Sequence, residues 1–191
     1  MMGQHQAANA AMALAAANVL QSQGHELTQP QLRDGLANAK CRGRVELVAK
    51  SPSVILDVGH NEAAIRSLTQ TVASHFPQDP ADRVVVFATT KGKDVEAMLR
   101  ILLPWCGQLI VTKYQDNPRG CSTGSITRIA EHLVYELLFS SDSLNSLATV
   151  SSHDQPVDAW QAAMEVSTKK SLVCITGSFF LAAELESLAR E

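Results

Sequence analysis

From residue 53 onward, short apolar runs rich in Val and Ile alternate with longer segments whose apolar residues recur every three or four positions. The runs are "SVILDV" at 53–58, "RVVVFA" at 83–88, "QLIVTK" at 108–113, "ATVSS" at 148–152 and "LVCITG" at 172–177. Between them Ile65, Leu68, Val72 and Phe76, and later Ile126, Ile129, Leu133 and Leu137, mark helices with one buried face. Helices are expected at 61–75, 94–103, 124–139 and 157–168, with a closing helix after the last run. Strands separated by helices join by right-handed crossovers, which build a largely parallel sheet. A further run, "RVELVAK" at 44–50, lies too close to "SVILDV" for a crossover, so these two pair antiparallel. The expectation is an α/β, Rossmann-like open six-stranded sheet, mostly parallel with one antiparallel edge strand and helices on both faces. Strand order is left open.

Ahead of the sheet, residues 1–40 read as a helical entry segment belonging to the domain, and 41–191 as the α/β domain proper. The alanine-rich start lacks a basic leader and carries Gln4, His5, Gln6 and Asn9, so it reads as a helix rather than a secretion signal. In "LTQPQLRDGLANA", Thr28 can cap a second helix with Pro30 in its first turn. No run reaches the ~18 apolar residues that a membrane span needs. Cys41, Cys106, Cys121 and Cys174 share no CxxC spacing and the six histidines are scattered, which argues for a reduced, cytoplasmic protein without a metal site. With 46% hydrophobic and 18% charged residues in 191, the chain can bury a sizeable core, roughly 70% of its unfolded surface. A net charge of −3 gives no footprint for nucleic acid.

Open parallel sheets bind ligands outside the carboxyl ends of their strands. The segments there are "DVGHNE" at 57–62, "TTKGKD" at 89–94, "KYQDNPRG" at 113–120, "SSHDQP" at 151–156 and "TGS" at 176–178. All five should share one rim. Each also has a plain local explanation: Asp57 as a helix cap, Glu62 answering the helix dipole, and Lys91, Lys93 and Asp94 as a solvated turn with Asp94 capping. Their chemical variety on a single rim favours a binding site. "LDVG" after a strand also opens the cofactor loop of many methyltransferases, but such loops need glycine at two or three fixed places. This one has Gly59 alone, followed by His60, Asn61 and Glu62.

These residues resemble the C-terminal domain of the Mur ligase superfamily, and in particular that of folylpolyglutamate synthases and their dihydrofolate synthase relatives. "GQHQAANAAMALAAA" at 3–17 is similar to the helix entering that domain, "RGRVELV" at 42–48 to its P-G-R-x-E strand, and "LDVGHNEAA" at 56–64 to its D-G-A-H-N-P. "KGKD" at 91–94 resembles its lysine loop, "NPRG" at 117–120 its N-P-R, and "ITGSFFLAAEL" at 175–185 its closing strand and helix. Arg42 stands in place of the usual proline, Val58 and Gly59 in place of Gly-Ala, Glu62 in place of proline, and Ala88 where glycine is common.

The resemblance implies a ligase that phosphorylates a folate-type carboxylate with ATP and Mg and joins it to the amine of glutamate. Carried over by position, Asn9, Arg44 and Asp57 would bind ATP, at the adenine, phosphates and ribose respectively. His60 would face the reacting groups as the catalytic residue, with Asn61, Lys91, Lys93, Arg119 and Ser178 holding the amino acid. No G-x-x-x-x-G-K-[ST] occurs in the chain, so the β and γ phosphates would be cradled by a central P-loop ATPase domain of the same ligase. The chain is then expected to be the C-terminal third of that ligase and inactive alone. A non-catalytic binding module of the same fold is the alternative from a different class.

Overall fold

The computed structural model describes residues 2–140 and 148–190. The chain divides into two compact units, Met1–Arg42 and Gly43–Glu191. In the first, α1 (Gln4–Ser22) is followed by α2 (Gln29–Asn38). Thr28 caps α2 in a reciprocal box: its hydroxyl accepts from the Gln31 N–H, and the Gln31 side chain accepts from the Thr28 N–H at 2.9 Å. Pro30 lies in the first turn of α2, as its missing N–H suits.

The second unit is the α/β sheet. Its strands are β1 (Glu46–Lys50), β2 (Ser53–Leu56), β3 (Arg83–Phe87), β4 (Gln108–Val111), β5 (Thr149–Ser152) and β6 (Leu172–Thr176). Its helices are α3 (Glu62–His75), α4 (Val95–Leu102), α5 (Thr123–Ser140), α6 (Pro156–Val166) and α7 (Phe179–Ala189). The strand order is β1-β2-β6-β3-β4-β5, and β1 alone runs antiparallel. Every element expected from the periodicity is present within a few residues. A short 3-10 turn at Pro80–Asp82 was not foreseen.

The order fixes which face each helix covers. The crossovers through α3, α4 and α5 advance from β2 toward β5, whereas α6 carries the chain back to β6 in the middle of the sheet. Right-handed crossovers of opposite direction place helices on opposite faces. On one face, Val54, Leu56, Val84, Val86, Ile110, Val173 and Ile175 pack with Ala159, Trp160 and Ala163 of α6 and Leu181 and Leu185 of α7. The alternate residues Ile55, Val85, Phe87, Leu109, Val111 and Cys174 are fully buried on the other. Each large side chain so buried contributes roughly 1.5–3 kcal/mol.

The same order locates the crevice. β6 lies between β2 and β3. The loops leaving β2 and β3 turn to the α3–α4 face, and the loop leaving β6 turns to the α7 face. The chain therefore parts above the carboxyl end of β6, the geometry that opens a ligand cleft in sheets of this kind.

Candidate functional site

Backbone bonds tie the rim loops to one another. The Gly177 N–H donates to the Gly59 carbonyl at 2.9 Å, joining the loops after β6 and β2. The Lys91 N–H donates to the Arg119 carbonyl at 2.8 Å, and Thr90 bridges Gly120, joining the loops after β3 and β4. Glu184 of α7 accepts from the N–H groups of Gln115 and Asp116, at 2.8 and 2.9 Å. Asp154, after β5, accepts from the Thr123 hydroxyl at 2.6 Å and, through its carbonyl, from the Gln115 side chain at 2.8 Å. Glu184 and Asp154 were not singled out from the sequence, because a carboxylate that braces a distant loop leaves no local signature.

Because β1 is antiparallel, its beginning lies beside the end of β2, with Glu46 opposite Leu56. The turn before it therefore joins the rim and carries Arg44, which is exposed. Val45, next along, is buried and has φ of 46°, a left-handed conformation that is strained for a β-branched residue. Its N–H donates to Asp57 Oδ2 at 3.0 Å, while Asp57 Oδ1 accepts from the Gly59 N–H at 2.7 Å. The carboxylate of Asp57 is thus turned into the protein, 5% exposed, and spans the Arg44 turn and the strand-end loop.

Two departures from the family pattern have local reasons. A Cβ on residue 59 would stand 2.6 Å from Asp57 Oδ1, so with alanine there the Asp57 side chain would have to shift from its present bond to the residue 59 N–H. Gly43 has φ of 66°, and a Cβ there would meet Val58 Cγ1 at 2.6 Å, so the bulk gained at residue 58 is accommodated by glycine at 43.

His60 is exposed, with Nδ1 3.1 Å from the Val58 carbonyl. The cap of α3 is Asn61, whose side chain accepts from the Ala64 N–H at 2.9 Å; it is not Asp57. Glu62, in the first turn, pairs with Arg66 at 2.7 Å. Asp94 caps α4 through the Ala97 N–H, as its plain reading had it. Lys91 and Lys93 are exposed, and Lys91 Nζ donates to the Pro118 carbonyl at 3.3 Å, which places it beside the segment carrying Arg119. Arg119 is exposed and enters no ion pair among the described residues. Ser178 is buried, and its hydroxyl accepts from the Phe180 N–H at 3.1 Å as the cap of α7. What it offers the rim is a capped helix start rather than a free hydroxyl. Asn9 belongs to α1 in the first unit.

Beneath the rim, the hydroxyls of Thr89, Thr112 and Thr176 are buried without a hydrogen-bond partner among the described residues. Among the described residues no group of three His, Cys, Asp or Glu side chains gathers as a metal site, and no helix is long and apolar enough to cross a membrane.

Residues 43–179 match the family described as Mur ligase, glutamate ligase domain. A dihydrofolate synthase/folylpolyglutamate synthase of Escherichia coli is 32% identical over 181 residues, covering 93% of this chain and 36% of that protein. The protein of the same name from Mycobacterium tuberculosis is 32% identical over 130 residues, covering 67% and 26%. In structure, Mycobacterium tuberculosis folylpolyglutamate synthase complexed with ADP matches the whole chain with a TM-score of 0.81 at 27% identity, over 41% of its own length. A bifunctional folylpolyglutamate synthase/dihydrofolate synthase of Yersinia pestis, complexed with AMPPNP and Mn ion, matches 91% of the chain with a TM-score of 0.66 at 28% identity, over 37% of its length. The chain thus spans well under two thirds of these relatives. With the motif order, the sheet order and a family match over most of its length in agreement, the chain belongs to the glutamate ligase domain family of the Mur ligases.

Proposed function

We propose that this chain supplies the nucleotide-closing, amino-acid-binding side of an ATP-dependent ligase that joins glutamate to a folate-type carboxylate. The observation that carries the reading is the bonded rim. It sets a histidine, two lysines and an arginine above the carboxyl end of a parallel sheet, and antiparallel β1 adds Arg44. In the proposed reaction the γ-phosphoryl group of ATP passes to the carboxylate, ADP leaves, and the amine of glutamate displaces phosphate to form the amide. Arg44 faces the phosphates, where a planar guanidinium braces phosphoryl oxygens. Asn9 stands near the adenine and Asp57 near the ribose. His60 orients the reacting groups. Lys91, Lys93 and Arg119 hold the carboxylates of the incoming glutamate, Asn61 lies beside them, and Ser178 acts through the α7 start that it caps.

The β and γ phosphates and their magnesium are assigned to a central P-loop domain of the same ligase. The composition of α1 supports such a partner: its apolar side chains are spread all round, and Met12, Leu14, Val19 and Leu20 are exposed. A helix apolar on every side belongs inside a larger body. Residues 1–40, the helical entry segment of this domain, would supply that apolar surface.

The test compares this chain alone with the complete ligase. The complete protein should release ADP in step with glutamate addition to a reduced folate. The chain alone should not turn over ATP, and should bind it no better than about millimolar, because the phosphate cradle supplies most of the anchoring. Micromolar ATP binding by the 191-residue chain would overturn the reading.

A further inference from the structure

The turn that carries Arg44 is clamped from two sides. On one, Glu46 Oε2 accepts from the Gly43 N–H at 2.7 Å, closing the turn on itself, and Glu46 Oε1 takes a bond from Arg190 at 2.5 Å. Arg190 is in turn held by Glu186 of α7 at 2.7 Å. On the other, the Val45 N–H is bound to Asp57, and the Val58 N–H donates to the Gly43 carbonyl at 2.8 Å. Between the clamps, Gly43 and Val45 both have positive φ, with Arg44 between them.

A buried valine holds φ of 46° only where its surroundings over-determine it. Solubility asks for no such turn before an edge strand. Arg44, exposed between Gly43 and the strained Val45, enters no ion pair among the described residues. The arrangement fixes the backbone of a long, flexible cation while leaving its head available. Burial raises the Glu46 carboxyl, but the Gly43 N–H and Arg190 outweigh it, so Glu46 stays ionised and the clamp holds.

We infer that the Gly43–Glu46 turn is a pre-set mount for Arg44, and that Glu46 is a positioning residue acting through it. The inference rests on the ligase reading above, in which Arg44 meets the transferring phosphoryl group. An oxygen-bracing guanidinium contributes most when it need not reorganise as charge develops. Glu46 touches no substrate; it sets where the guanidinium starts.

The test is a set of variants of the complete ligase, assayed well below melting: Arg44→Ala, Glu46→Ala, Glu46→Gln and the Arg44→Ala/Glu46→Ala double. Glu46→Ala should lower kcat about tenfold or more, the scale of a catalytic group misplaced by about an ångström, with KM for glutamate unchanged. Glu46→Gln keeps an oxygen for the Gly43 N–H and should recover most of the loss. The double variant should be no slower than Arg44→Ala, because groups acting as one unit do not add. Multiplying effects, or a Glu46→Ala enzyme with full kcat beside a crippled Arg44→Ala, would overturn the mount and leave the ligase reading standing. Full kcat in Arg44→Ala would overturn the mount together with the role given to Arg44, whereas a complete protein with no glutamate-dependent turnover would overturn the ligase reading itself.

Discussion

Gly177 and Gly92 form a matched pair from which the rigidity of the rim can be measured. Both have strongly positive φ, 97° and 82°, so alanine meets a similar backbone penalty at each, about 1–2 kcal/mol. Their surroundings differ. A Cβ at Gly92 would meet nothing within 4 Å, whereas one at Gly177 would stand 2.4 Å from the Ala88 carbonyl oxygen and 2.5 Å from the Phe87 ring. Neither neighbour can yield cheaply, since one is backbone and the other is fully buried beneath the sheet end. Overpacking of this kind costs about 1–3 kcal/mol more. The shift also disturbs the Gly177–Gly59 bond, a further loss of about 1 kcal/mol. Gly92→Ala should therefore cost about 1–2 kcal/mol and Gly177→Ala about 3–6 kcal/mol. Urea denaturation of the two variants beside the parent gives both values, provided the slopes agree. Losses equal to within about 0.5 kcal/mol, the scatter of ordinary surface substitutions, would refute the close packing of Gly177 against Ala88 and Phe87 at the end of β3.

His60 and Asn61 should separate cleanly. His60→Ala should leave the melting curve in place and lower ligase turnover by about 10²-fold, the scale of one positioned catalytic group, and a loss below threefold would remove His60 from the site. Asn61→Ala should cost about 1 kcal/mol of stability through the lost cap. The cysteines should react in order of exposure toward a thiol reagent at neutral pH. Cys41 reacts first and Cys121 later, while Cys106 and Cys174 react only on unfolding, because burial pushes Cys106 up to about 12 and Cys174 well above its ordinary value. Early labelling of Cys106 would show that the core opens locally.

The elements were legible because helix and strand periods are strong signals in segments this regular, as at Ile65, Leu68 and Val72 on α3 or in the uninterrupted run of β3. Parallel pairing followed from alternation, and with it the common rim. The insertion of β6 between β2 and β3 was not legible, since nothing in "LVCITG" states its neighbours. The places of His60, Lys91 and Arg119 on the rim were legible because each belongs to a segment that follows a parallel strand. The surroundings of Asp57 and Ser178 were not, because an inward carboxylate and an outward one have the same letter. The β1 turn escaped the list of rim segments for a similar reason: the rule of carboxyl ends applies to parallel strands, and an antiparallel neighbour contributes its beginning instead.

The bond between Arg190 and Glu46 has a consequence for how this unit can be handled. It joins the turn that starts the α/β unit to the end of its last helix, so the two ends of a body of about 150 residues meet on one edge. Units with adjacent ends can be lifted into a host loop or circularly permuted without disturbing their interior. A linker of a few residues from Arg190 to Gly43, with new termini opened in an exposed connection away from the rim, should yield a transplantable cassette whose crevice is unchanged.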